Sequence, residues 1–351
     1  KLSTDEGVRL APDALAGLPN GLGEPALLDV DANGTLDRAY AGDQFGNLYR
    51  FDIADTNPDN WSVTKLFQAT YDGTLSTRQP ITKQPLVVKH PTESGFMLVF
   101  GTGSYLTEAD GTDTEIQSLY GIWERDEVAP ATADPAAKLS RLVEQNIMNI
   151  VDESNTNFPR QRVIEASEVV YTPDAGSEGT YGWYIDLDAV RATTTLSGNP
   201  NSDDSGRAPP DPQYPGERAV RRILARGDAL IMTTVIPRDA NTCFRAPPGS
   251  SFPIDPLTGG SPKRPIFDVN NDGIIDDADL ISLNGGEYAA GIVLDTDDLD
   301  GTLVDPSLLI GNGDSDFLFL SGGDDQLSIR ISGSGDDKVG RLSWLELINA
   351  N

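Results

Sequence analysis

The 35 glycines and 24 prolines of the chain cut its apolar residues into short runs, and this punctuation constrains the fold more than any other feature. Short apolar runs bounded by Gly, Pro, Asn and Asp read as strands closed by turns, so the expected fold class is all-β. The clearest unit covers residues 25–70, where PALLDVD, RAYAGDQ, GNLYRFDI and WSVTKLFQA form four successive strands. That is the size of one four-stranded β-propeller blade.

Further blades are expected near residues 80–170, 180–237 and 250–351, with an EF-hand-like insertion at 266–284. QPLVVKH and FMLVFGTGSYL form a hairpin around PTESG, and QSLYGIWERD is the next strand. KLSRLVEQNIMNIVDE fits either a long strand or a short helix by its apolar spacing. SEVVYT, GWYIDLD, RAVRRILARG and DALIMTTVIP make the third unit; SSFPIDPLTGG, DFLFLSGG, QLSIRISG and VGRLSWLELI belong to the fourth. The Pro-rich stretch 194–217 and the segment 244–253 read as insertions on the rim. This makes about three and a half blades, whereas propellers close with about four to eight. The chain is therefore read as the C-terminal part of a larger propeller, its other blades lying upstream.

Charge and residue scarcity narrow the function. Lys and Arg number 26 against 55 Asp and Glu, a formal net charge of −29. Nucleic acid, which is gripped through its phosphates, is an unsuitable partner, and so is an anionic lipid surface. Such acidity suits cation binding and a secreted setting. With one cysteine, Cys243, and one histidine, His90, a cysteine zinc site, a CxxC redox centre and an internal disulfide framework are excluded. His90 follows an apolar run at a turn and reads as an exposed hairpin residue rather than a catalytic one. No apolar run is long enough to span a membrane, so no membrane insertion is expected. The chain opens on Lys1 with no signal sequence and reads as a mature or cut product. Carboxylates abound, but no acid/base pair stands out from the acidic background.

Two acidic loops carry the chemistry. DVNNDGIIDDAD, residues 268–279, has the EF-hand calcium-loop spacing. Asp268, Asn270, Asp272, Asp276 and Asp279 take positions 1, 3, 5, 9 and 12, Gly273 takes the sharp turn at 6, and the Ile274 carbonyl supplies 7. Hard oxygen donors on alternate residues point to one centre when the loop curls, which suits Ca²⁺. DADLISL beyond it is expected to start a helix, giving half an EF-hand. DVDANGTLD, residues 29–37, is a shorter version lying between strands: Asp29, Asp31, Asn33, the Thr35 carbonyl and Asp37 at positions 1, 3, 5, 7 and 9, with Tyr40 at position 12 unable to donate a carboxylate. Water or a neighbouring loop would have to complete its shell. Elsewhere, LDTDDLDG and SGSGDDKVG read as a solvated loop and a turn. Arg226-Gly227-Asp228 is an integrin-type tripeptide lying where a Gly-Asp turn joins two strand-like runs.

Beyond these loops, the motifs DVDANGTLDRAYAGDQFGNLYRFDI, RQPITKQPLVVKHP, MLVFGTGSYLT, SLYGIWER, GWYIDLD, ALIMTTVIP, DPLTGG, FDVNNDGIIDDADL and GRLSWLELI follow one another from about residue 24 to the end. In this order the sequence resembles the C-terminal domain of the PilC/PilY family of type IV pilus tip-associated adhesins. The resemblance implies a β-propeller of quinoprotein-like four-stranded blades, longer than this chain. It implies calcium at Asp29, Asp31, Asn33, Thr35 and Asp37, where the family tunes pilus extension against retraction, and a second calcium loop at 268–279. The implied partners are pilin and minor pilins, a host or abiotic surface, and an upstream part of the same protein. The family often pairs a cysteine near Cys243, but this chain holds no mate for it.

The expected function is thus a non-enzymatic, calcium-stabilised propeller in pilus assembly, extension/retraction control and adhesion, secreted and displayed at the cell surface on the pilus tip, with a periplasmic or outer-membrane-associated place as the alternative. Two other readings compete. AGDQFGNLYRFD also resembles the repeat of quinoprotein dehydrogenases, although a single Cys and no evident axial ligand set argue against that enzyme. Residues 268–279 suggest a dockerin-like module, but dockerins need two tandem loops.

Overall fold

Local turn chemistry builds the first sheet. In the computed structural model the described residues are 20–126, 131–151, 155, 158, 160–171, 180–195, 216–237, 249–294, 305–310, 315–322 and 325–333. Cys243, residues 196–215, LDTDDLDG beyond Leu294, SGSGDDKVG beyond Gly333 and GRLSWLELI lie outside them. Strands β1 (Ala26–Leu28), β2 (Arg38–Gly42), β3 (Asn47–Asp52) and β4 (Ser62–Gln68) pair antiparallel in that order. The β2–β3 turn is closed by the buried Asp43 carboxylate, which accepts the N–H groups of Phe45 at 2.9 Å and Asn47 at 2.8 Å. Gly46 in that turn has φ +79°, and a Cβ there would lie 2.6 Å from the Gln79 carbonyl and 2.8 Å from that of Ala69. The Asp and Gly of AGDQFGN thus have a structural purpose in the turn itself.

The next sheet is not divided as the sequence suggests. Its strands are β5 (Leu86–Lys89), β6 (Phe96–Gly101), β7 (Ser118–Glu124), β8 (Val143–Val151), β9 (Arg160–Glu165), β10 (Gly182–Thr195), β11 (Leu224–Arg226), β12 (Ala229–Thr233), β13 (Gly249–Ile254) and β16 (Gly291–Leu294). They run in the order β11-β12-β13-β16-β9-β8-β10-β7-β6-β5. The start of β10 pairs antiparallel with β7, as a fourth blade strand would, but β10 also pairs in parallel with β8. That long strand joins two antiparallel groups into one sheet. A hairpin, β14 (Leu280–Leu283) and β15 (Gly286–Ala289), and a sheet of β17 (Ser307–Leu309), β18 (Ser315–Gly322) and β19 (Asp325–Ser332) complete the described strands.

Apolar faces pack between these layers. Tyr40, Leu48, Phe67, Ile81, Phe100 and Tyr120 form the core between the first sheet and β5–β7. On the opposite face Trp183 is fully buried among Val99, Leu119, Ile164 and Met232. Its indole fits only because Gly121 and Gly259 flank it: a Cβ at either would lie 2.3 Å or 2.4 Å from the ring. The indole N–H donates to the Pro256 carbonyl at 3.0 Å. At roughly 25 cal/mol per Å², removing an aromatic side chain of about 150–250 Å² from water contributes about 4–6 kcal/mol at most.

Several expectations need correction. KLSRLVEQNIMNIVDE is both alternatives in succession, a short helix α1 (Ala137–Arg141) followed by β8. Only Leu224–Arg226 of RAVRRILARG is a strand. No exiting helix follows residues 268–279; a single 3₁₀ turn, Asp277–Asp279, leads straight into the β14–β15 hairpin. Ile281 and Leu283 alternate inward with Ser282 outward, a period of two that suits a strand.

His90 is also misread as exposed. It is 2% exposed, its ring 4.7 Å from Tyr171 and 5.4 Å from Trp123. Nδ1 accepts the N–H of Glu93 at 3.0 Å, which fixes a neutral imidazole with its proton on Nε2. Burial pushes its pKa below the ordinary histidine value of about 6.5, outweighing the nearby Glu93 charge. A base held neutral in the folded state stabilises the fold above its unfolded pKa, and that contribution is lost as pH falls through the folded value. NMR of this single histidine should show its titration midpoint below about 6.5. A midpoint above that would contradict the buried neutral ring.

Candidate metal centre

The two acidic loops share one backbone design. The first joins β1 to β2, and the second precedes β14. The fourth residue of each has a left-handed backbone, Ala32 at φ 57° and Asn271 at φ 56°, and so does the sixth, Gly34 at φ 90° and Gly273 at φ 87°. The first Asp of each accepts the sixth residue's N–H: Asp29 from Gly34 at 2.7 Å, Asp268 from Gly273 at 3.0 Å. The last Asp of each accepts from the valine after the first: Asp37 from Val30 at 2.7 Å, Asp279 from Val269 at 2.9 Å. Asp37 is therefore the structural counterpart of Asp279, closing a loop shortened by three residues, rather than of position 9. The shared Asp-Val opening and terminal Asp are the sequence signal for this; counting from the first Asp alone misses it.

In the first loop, one carboxylate oxygen each of Asp29, Asp31 and Asp37 lies within 4.8 Å of the others. Asp29 is 2% exposed, Asp31 is exposed and Asp37 is intermediate. Asn33 turns its side-chain oxygen toward the loop and accepts from the Thr35 N–H at 2.8 Å. Among the described residues no cationic side chain forms an ion pair with the three carboxylates. Three like charges held this close repel, and a hard divalent cation is the species that such an oxygen cluster fits.

The second loop is more heavily engaged. Asp279 takes Val269 and Asn270 N–H groups on one oxygen and Asp276 N–H on the other. Burial, with the charge of Asp268, raises its pKa above the ordinary value despite these donors. Asp272 accepts from Ile274 N–H at 2.8 Å, and Asp276 from Ala278 N–H at 2.9 Å. Asp268 is 3% exposed, and its Oδ1 is buried without a hydrogen-bond partner. A buried carboxylate oxygen without a partner is costly, and a bound cation would satisfy it. Among the described residues the carboxylates of this loop do not draw together as those of the first do, so its fit to a cation rests on that one oxygen of Asp268.

The Arg226-Gly227-Asp228 tripeptide does not present a receptor motif. Gly227, at φ +60°, makes the β11–β12 turn. Arg226 is 3% exposed and ion-paired to the buried Asp316 of β18, whereas Asp228 is exposed and ion-paired to Arg264. An integrin-type site needs both charges offered outward, and here the arginine is turned into the interior.

Comparison with known proteins accounts for the arrangement of strands. Residues 9–158 match the PilY1 beta-propeller domain family. The type IV pilus biogenesis factor PilY1 of Pseudomonas aeruginosa is 29% identical over 290 residues, covering 76% of this chain and 23% of that protein. A homologue from Xylella fastidiosa is 30% identical over 331 residues, covering 94% of this chain and 22% of its own length. The chain thus spans less than a quarter of these curated relatives. The crystal structure of the P. aeruginosa PilY1 C-terminal domain superposes with a TM-score of 0.64 at 24% identity, covering 92% of this chain and 63% of that one. The all-β architecture, the motif order and these matches agree, and the chain belongs to the PilY1 β-propeller family, the PilC/PilY group.

Proposed function

We propose that this chain is the calcium-responsive propeller part of a type IV pilus biogenesis factor, with no catalytic step. Its partners would be pilin and minor pilins, an upstream part of the same protein, and a host or abiotic surface. Its place would be the cell surface, at the pilus. No helix among the described residues is long and apolar enough to cross a membrane. The observation that carries the reading is the convergence of Asp29, Asp31 and Asp37 in a strand-joining loop of a PilY1-family propeller. In the first loop Asp29, Asp31, Asn33 and Asp37 side chains and the Thr35 carbonyl would hold Ca²⁺. In the second, Asp268, Asn270, Asp272, Asp276, Asp279 and the Ile274 carbonyl would do so. A bound calcium ion supplies the divalent charge that offsets the clustered carboxylates. The residues do the rest: they close each loop on its own backbone and so fix the distance between the elements that flank it.

The test is allelic replacement in the organism that carries the gene. Asp37→Ala, at normal protein level, should change surface piliation or twitching and make it indifferent to external calcium. Piliation and motility like those of the parent, with the same calcium response, would remove the first loop from the function.

A further inference from the structure

The two loops differ in one respect that their sequences hide. The first forms no ion pair with a cationic side chain among the described residues, while the second faces Arg330 of β19. The Arg330 Nε lies 3.7 Å from Asp268 Oδ2, and its Nη1 donates to Ser315 Oγ at 2.9 Å. Its guanidinium sits 5.1 Å from the centre of the Phe317 ring. The backbone fixes this placement: Asp268 N–H donates to the Arg330 carbonyl at 3.0 Å, and Ser332 N–H donates to that of Ile266 at 2.7 Å. Phe267 also bridges Ile331. The guanidinium is thus held beside the first ligand of the loop by the strand that carries it.

We infer that Arg330 is a built-in competitor for the cation of the second loop, so that this loop fills at higher calcium than it would without the guanidinium. This rests on the calcium reading above and deepens it. The unpartnered oxygen of Asp268, buried in a residue only 3% exposed, shows that the arginine does not satisfy the carboxylate fully. One oxygen stays open to a metal while the other is biased by a positive charge. Repulsion between that charge and a divalent cation weakens binding. Because Arg330 is about one-third exposed, salt moderates the effect. Calcium binding and the hold of β19 on the loop are then opposed through one carboxylate.

Isothermal titration of calcium chloride into chelated protein tests this with Arg330→Gln and Arg330→Lys, each checked for a native circular-dichroism spectrum. Asp272→Ala in each background identifies the heat that belongs to the second loop. Arg330→Gln should tighten the second loop about three- to tenfold at low salt and leave the first unchanged. Arg330→Lys keeps the charge and should stay near wild type. A merely structural role for the arginine would move both variants the same way, because both lose the guanidinium. Equal affinity in wild type and Arg330→Gln, or equal changes in both variants, overturns the inference while leaving the calcium reading intact. No calcium at the second loop in any of the three proteins overturns both.

Discussion

Calcium at about 10 mM should raise the thermal midpoint of the chelated protein by roughly 3–10 °C for each loop that fills. Extracellular calcium modules have affinities of about 10⁻⁴–10⁻³ M. At ten to a hundred times Kd, binding to the folded state alone adds about 1.4–2.7 kcal/mol per site. Each kcal/mol shifts the midpoint of a domain of this class by about 2–4 °C. Asp37→Ala should abolish the share of the first loop and Asp272→Ala that of the second. The double variant should unfold at the same temperature with and without calcium. Magnesium should give a smaller rise, because it holds its waters and demands near-octahedral geometry. Differential scanning calorimetry of the four proteins decides the matter. A rise that survives both substitutions would place the cation elsewhere.

What the sequence made legible follows from how local each contact is. The β1–β4 meander could be read because each strand pairs with its sequence neighbour, and Asp43 and Gly46 mark the turn between two of them. The turns of the two acidic loops could be read because each lies in one contiguous stretch closed by its own Asp and Gly. The central sheet could not. β16 lies between β13 and β9, and β10 lies between β7 and β8, pairings that no local pattern announces. Arg330 was invisible as a neighbour of Asp268 for the same reason: the contact depends on β19 returning to the loop. His90 was misplaced because polarity suggests the surface, whereas here aromatic rings enclose it.

Helix α1 inverts the usual burial rule, and the largest stability effect of a single substitution is expected there. Lys138 is fully buried while its neighbour Leu139 is 57% exposed. The Lys138 ammonium lies 2.5 Å from Asp186 Oδ1 and 3.3 Å from Ser118 Oγ. The rings of Tyr184, Tyr71 and Tyr120 surround it at 4.7, 5.1 and 5.7 Å from their centres. A charge buried this deeply is tolerable only with an opposite partner, hydrogen bonds and π faces around it. Lys138→Met removes the ammonium that lies against the buried carboxylate of Asp186 on β10. Breaking such a pair typically costs about 3–5 kcal/mol. Asp186→Asn added to Lys138→Met should recover part of that loss, because the Ser118 hydroxyl, 2.6 Å from Asp186 Oδ1, can serve a neutral amide as well. Urea unfolding of wild type, both singles and the double closes the cycle, with an expected coupling of about 1–3 kcal/mol. A Lys138→Met protein within about 1 kcal/mol of wild type would mean that the aromatic surroundings hold α1 in place and that its ion pair with Asp186 contributes little.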